Sequence, residues 1–232
     1  MIGNRLFTGI NNLCKWVCYF FYLNVMWMLC TLLGGVLLGI SPSTVALYTI
    51  ARKTAMGEED IPVFKTFWRI YKKEFLKANL LGLTLIAFAA VWYMDFIFFR
   101  QLEGTFYRMM DYFLLLIGIL FVIVISYIFP VYVHYEMKFL SYMKYSIAFG
   151  FLHPLHFIAM IITTISTYYF FAYFQGFILI LGFSLSAHLN MWLAYQSFQK
   201  IAEKHLKYEQ KTSYNSVNRK PLEMRGTFVT KS

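Results

Sequence analysis

His188, Asn190, Asp95 and Asn24 are the polar residues whose position could do chemistry, because each falls inside a long apolar block of this 232-residue chain. Ionisable groups at bilayer depth are costly and tend to mark ion, proton or solute paths. Ser184 and His188 share a helix face at i, i+4, as do Ser186 and Asn190. Asp95 stands about four residues from the end of its block and Asn24 sits in the outer half of another, so the two could lie at similar depth. The competing reading is interhelical hydrogen bonding, worth about 0.6 kcal/mol per pair in a bilayer. His153 and His156, with His134 and Glu136 nearby, have a spacing that suggests metal ligands, but zinc requires three or four ligands with outer-shell support. His153 is read instead as a span-entry residue before Pro154, and no metal site is expected. Cys14, Cys18 and Cys30 form no Cys-x-x-Cys pair and are read as buried thiols. Phosphate loops, His-Glu-x-x-His and Gly-x-Ser-x-Gly are absent, so no catalytic residue, no cofactor and no enzymatic activity are expected.

A second group reads as a binding surface. Taken as a helix, residues 64–75 put Phe64, Phe67, Trp68, Tyr71 and Phe75 on one face and Lys65, Arg69, Lys72 and Lys73 on the other. That pattern predicts an interfacial amphipathic helix with its rings at headgroup level and its cations reaching anionic inner-leaflet lipids or a docking partner. Glu58, Glu59 and Asp60 precede it, with Asp60 as the expected cap and Pro62 in the first turn. Residues 136–154 repeat the device with Lys138 and Lys144 among aromatics. Gly35 and Gly39 form a small-xxx-small pair that would let another helix approach closely.

Composition decides which elements must position these residues. The chain is 59% hydrophobic, 21% aromatic and only 14% charged, whereas soluble domains carry about a quarter charged residues. Blocks of about 20 apolar residues match the hydrocarbon thickness of a bilayer at about 1.5 Å per helical residue. Five such blocks are read, at about 16–40, 78–99, 113–135, 156–174 and 176–195, which gives an all-α polytopic membrane protein with interfacial helices on its cytoplasmic side. The first block is too long for a signal-peptide core and is expected to remain as an anchor. With the amino terminus outside, 17 of the 21 Lys and Arg residues fall on the cytoplasmic side, as the positive-inside rule requires. A return through the membrane over about 32–51 would instead put the amino terminus inside and raise that to 19. The membrane domain is taken as 1–208, and 209–232 as a flexible basic cytoplasmic tail. A net charge of +10 is explained by this one-sided distribution, so no nucleic-acid partner is expected.

Tyr22 to Lys53 and Gly57 to Gly82, with Leu-Asn-x-x-Trp, Pro-Ser-Thr-x-Ala-Leu and Phe-x-x-Phe-Trp in order, and Gly150 to Pro154, resemble the YesL family of uncharacterised membrane proteins from Gram-positive bacteria. That resemblance implies a multi-pass protein of the bacterial plasma membrane, and an accessory role beside binding-protein-dependent ABC transporters for sugars and oligosaccharides. It brings no catalytic residue with it. The alternative is a small-solute transporter or channel, working as an oligomer.

Overall fold

The computed structural model describes residues 2–58 and 60–226, with side chains described for 7–58, 60–204 and 206–211. Every regular element among them is helical: α1 (Ile2–Leu33), α2 (Leu37–Ala55), α3 (Val63–Arg100), α4 (Thr105–His134), α5 (Phe139–Leu152), α6 (Pro154–Tyr173), a 3-10 turn (Gln175–Ile178) and α7 (Gly182–Gly226). The chain divides into two compact units, Met1–Tyr195 and Gln196–Ser232. Residues 196–226 of the second are helix, including the stretch after 208 that composition reads as a flexible tail. Glu59, residues 227–232 and the cationic side chains past 211 lie outside the described residues.

Among the described residues, four helices are long and apolar enough to cross a bilayer: residues 7–33 of α1, then α3, α4 and α6. On α3, Leu80, Leu83, Ile86, Val91 and Met94 are all exposed, a surface that suits lipid and not water. The blocks at 78–99, 113–135 and 156–174 therefore appear as helices α3, α4 and α6. The first block does not appear as one span. It breaks at residues 34–36, where Gly35 and Val36 take positive φ (71° and 59°), and α2 folds back along α1. Trp27 Nε1 donates to Thr44 Oγ1 at 3.2 Å and the Tyr19 hydroxyl lies 2.9 Å from Thr54 Oγ1, contacts that fix the pair as an antiparallel hairpin. A helix folding back along α1 is thus present where that alternative put a return, and its 19 residues extend about 28 Å, but α2 is not among the helices long and apolar enough to cross a bilayer. The fifth block opens with the 3-10 turn, and α7 begins only at Gly182.

Close backbone approach explains the hairpin. A Cβ on Gly39 would strike the Thr31 carbonyl, and one on Gly34 would strike the Gly39 backbone and lie 2.7 Å from the Tyr71 hydroxyl. Gly35 is exposed in the turn, with nothing near its missing Cβ, so Gly35 and Gly39 do not share a helix face as the sequence pattern predicts. On the other side of α2, a Cβ on Gly82 of α3 would overlap the Ser41 hydroxyl. Between these contacts lies the core: Leu23, Met26 and Cys30 from α1, Ala46, Leu47 and Ile50 from α2, Phe67 and Tyr71 from α3, and Ala187 from α7.

Residues 64–75 are helical as expected but are the first turns of a 38-residue α3 rather than a separate surface helix. Their aromatic face turns into the protein: Phe67 is 0% exposed and Tyr71 6%. The hairpin supplies a better apolar partner for these rings than the headgroup layer does. Asp60 does not cap α3, which starts after Pro62 with no side-chain cap. The 139–152 segment also departs from a surface helix. Tyr142 meets Tyr132, Phe149 meets Tyr127, and a Cβ on Gly150 would strike Ile123, so α5 runs antiparallel along α4 before the chain bends at His153 into α6. Overpacking a close helix contact costs about 1–3 kcal/mol. Gly82→Val is therefore expected to lower the thermal unfolding midpoint in detergent clearly, while Gly176→Ala, in open space, should leave it unchanged.

Candidate functional site

The polar residues of the membrane-embedded blocks are spent mainly on helix-to-helix bonding. Asn24, 2% exposed, donates from Nδ2 to the Ile178 carbonyl at 2.8 Å and the Leu179 carbonyl at 2.9 Å. These carbonyls belong to the end of the 3-10 turn between α6 and α7, where backbone acceptors in an apolar setting need a donor. His188 Nδ1 lies 2.9 Å from the Ser184 carbonyl, Tyr19 approaches its Nε2 at 3.5 Å, and Phe20 packs edge-on against the ring. Ser184 donates to the Phe20 carbonyl at 3.0 Å. Asn190 donates to Thr164 Oγ1 at 3.1 Å and accepts from Thr163 at 3.3 Å, tying α7 to α6. Asp95 is exposed on α3 and does not join Asn24. Among the described residues no group of three or more His, Cys, Asp or Glu side chains converges. Cys30 is buried in the core, whereas Cys14 and Cys18 are exposed along α1.

A more concentrated arrangement lies where α2 ends, α3 begins and α4 passes into α5. A cavity of about 1040 Å³ opens there, and Arg52, Lys73, Lys77 and Lys138 line it against only two carboxylates, Glu74 and Glu136. Arg52 is held in place by a 2.9 Å bond from Nη1 to the Val133 carbonyl, while its Nε is buried without an acceptor. Glu74 is neutralised locally, accepting from the Tyr132 hydroxyl at 2.8 Å with Lys73 Nζ at 3.9 Å. The Tyr142 hydroxyl takes a 3.1 Å bond from the Met137 N–H and donates to the Tyr135 carbonyl at 3.3 Å, which shapes the 135–138 loop on the far wall. Four cations against two carboxylates give the cavity an excess of positive charge, which suits an anion.

Residues 20–96 match the family described as "Protein of unknown function, DUF624". The chain is 35% identical over 204 residues to the uncharacterized protein YesV of Bacillus subtilis (strain 168), covering 88% of this chain and 96% of that protein. The chain belongs to the DUF624 family. Two further relatives from the same organism are the uncharacterized proteins YteU, 31% identical over 82% of this chain and 85% of its own length, and YesL, 30% identical over 86% and 94%. The resemblance to YesL read from the motifs is therefore borne out. No solved structure matches the chain.

The DUF624 match holds the last turns of α1 from residue 20, all of α2 and most of α3, and with them Arg52, Lys73 and Lys77 of the cavity. Of the sequence-predicted surface residues, Lys65, Arg69 and Lys72 are exposed, Lys72 resting over the Trp68 ring at 4.7 Å. Trp68 is half-buried, Phe67 is sealed in the core, and Lys73 belongs to the cavity. Arg52, Lys77, Glu74, Tyr132 and Lys138 were not singled out as a group. Their cations register in the sequence only as one-sided charge, and nothing along the chain reveals that four segments converge. Asn24→Ala is expected to cost about 1 kcal/mol, since two bonds of bilayer strength are lost. It should appear as a lowered thermal midpoint with faster proteolysis between α6 and α7.

Proposed function

We propose that this DUF624 protein is a non-catalytic membrane partner that assists or regulates a carbohydrate import system from the inner face of the bacterial plasma membrane. The observation that carries this reading is the amino-terminal end of α3. At about 1.5 Å per residue its 38 residues extend about 57 Å, roughly twice the hydrocarbon thickness, so its amino-terminal turns stand clear of the acyl chains. There Phe67 and Tyr71 lock the helix to the core while Lys65, Arg69 and Lys72 face outward, a rigid cationic display for an acidic partner surface. The assignment to sugar or oligosaccharide uptake rests on the resemblance to YesL-like proteins.

A cytoplasmic placement of this end, and of the carboxyl terminus, is supported by charge. The hairpin brings Lys15 to the same end as Arg52, Lys53 and the start of α3, leaving Arg100 and Arg108 at the opposite turn between α3 and α4. A small-solute transporter is the second reading. It is favoured by an apolar cleft of about 510 Å³ among α2, α4, α6 and α7, into which Thr44, Ser126, Ser186 and Asn190 bring polar groups.

Affinity purification of the full chain from host membranes, with quantified recovery of carbohydrate-transporter permease subunits, tests the first reading. Recovery is expected to fall at least severalfold in Lys65→Gln/Arg69→Gln/Lys72→Gln and to persist in Asp95→Ala and His188→Ala. Unchanged recovery in the triple variant, combined with loss of solute flux in the other two, would establish the transporter instead.

A further inference from the structure

We propose that the cavity between the ends of α2, α3 and α4 is a binding site for the phosphate of an anionic lipid headgroup. Basic pockets between membrane helices are suited to such groups because the cations stay near water while the acyl chains remain in hydrocarbon. Four cations meet two carboxylates here, and one of those, Glu74, is already engaged by Tyr132 and Lys73. Among the described residues Arg52, Lys77 and Lys138 have no carboxylate within ion-pairing distance. Arg52 Nε is a buried donor without an acceptor, on a side chain already fixed by Val133. A buried donor with no acceptor from the protein, set in a cationic cavity, suits an anionic oxygen.

Surroundings favour a lipid over a free phosphate ester, which would offer the same oxygens. Tyr132, Tyr135 and Tyr142 ring the cavity, and tyrosine concentrates at the headgroup level of a bilayer. Leu80 lines the cavity and is 59% exposed, and Leu76 beside it is 83% exposed. The rim thus continues into an apolar helix surface along which an acyl chain can lie. A soluble ester would have no use for that surface. The site is separate from the Lys65, Arg69 and Lys72 display, so it stands whether or not the partner reading does.

Native mass spectrometry of the full chain in detergent tests this, after addition of equal amounts of phosphatidylglycerol and phosphatidylcholine with identical acyl chains. Preferential retention of phosphatidylglycerol is expected. Each cation near an anionic headgroup is worth about fivefold, so Arg52→Gln/Lys77→Gln/Lys138→Gln should lower the preference on the order of a hundredfold. Arg100→Gln/Arg108→Gln, at the opposite end, should leave it unchanged. Glu136→Gln removes no cation and should raise the preference, which keeps the test decisive if the triple variant does not fold. No preference in the wild type, or a preference indifferent to both Glu136→Gln and the single Lys138→Gln, overturns the proposal. Displacement of phosphatidylglycerol by excess inorganic phosphate would assign the cavity to a soluble phosphate ester and overturn the lipid assignment.

Discussion

Close contact between α1 and α2 at Gly34 and Gly39 is the constraint on which the rest of the bundle depends. In an apolar solvent, helices gain little from hiding grease, and association rests on tight packing and hydrogen bonds between small-residue faces. Removing the side chains at these two glycines lets the backbones touch, which brings Trp27 to Thr44 and Tyr19 to Thr54. The paired helices then make the apolar wall that receives Phe67 and Tyr71. Once those rings are seated, the cations of α3 have only outward directions left. Two of them, Lys73 and Lys77, face the cavity, and Lys65, Arg69 and Lys72 remain exposed. A packing decision among glycines thereby sets the electrostatics of one end of the molecule.

The same logic accounts for the polar residues within the apolar blocks. Asn24 does for the stretch before α7 what water would do outside a membrane, giving two carbonyls a donor. Asn190, Thr163 and Thr164 bind α6 to α7, whose own sequence is diluted by Ser184, Ser186 and His188 and so is less apolar than its neighbours. That dilution explains why α7 is not among the helices long and apolar enough to cross a bilayer, although its early residues contribute Ala187 to the core.

Helical blocks at 78–99, 113–135 and 156–174 were legible because hydropathy over about 20 residues is a bulk property of a segment. The break at residues 34–36 was legible only as the alternative return over about 32–51, since Leu32 to Ile40 stays apolar throughout and hydropathy marks no end within it; the positive φ at Gly35 and Val36 fixes the turn. Asn24 could be picked out as a polar residue in apolar surroundings. Its partners could not, because backbone carbonyls leave no mark on a sequence. The fate of Phe67 and Trp68 was ambiguous for a related reason: an aromatic face fits a headgroup layer or a protein groove equally well, and the groove comes from a hairpin about 20 residues upstream. The cavity was illegible as a site, since Arg52 and Lys138 come together only after α3 and α4 have crossed and returned.

Helix α3 runs from Val63 to Arg100 with no proline and no interruption. Sharp bends in helices arise at such defects, so this rod has no joint at which the protruding turns could swing independently of the buried ones. Whatever leans on Lys65 or Arg69 tilts Arg100 at the opposite surface through the same angle. The bilayer is crossed here by a stiff lever rather than a tether.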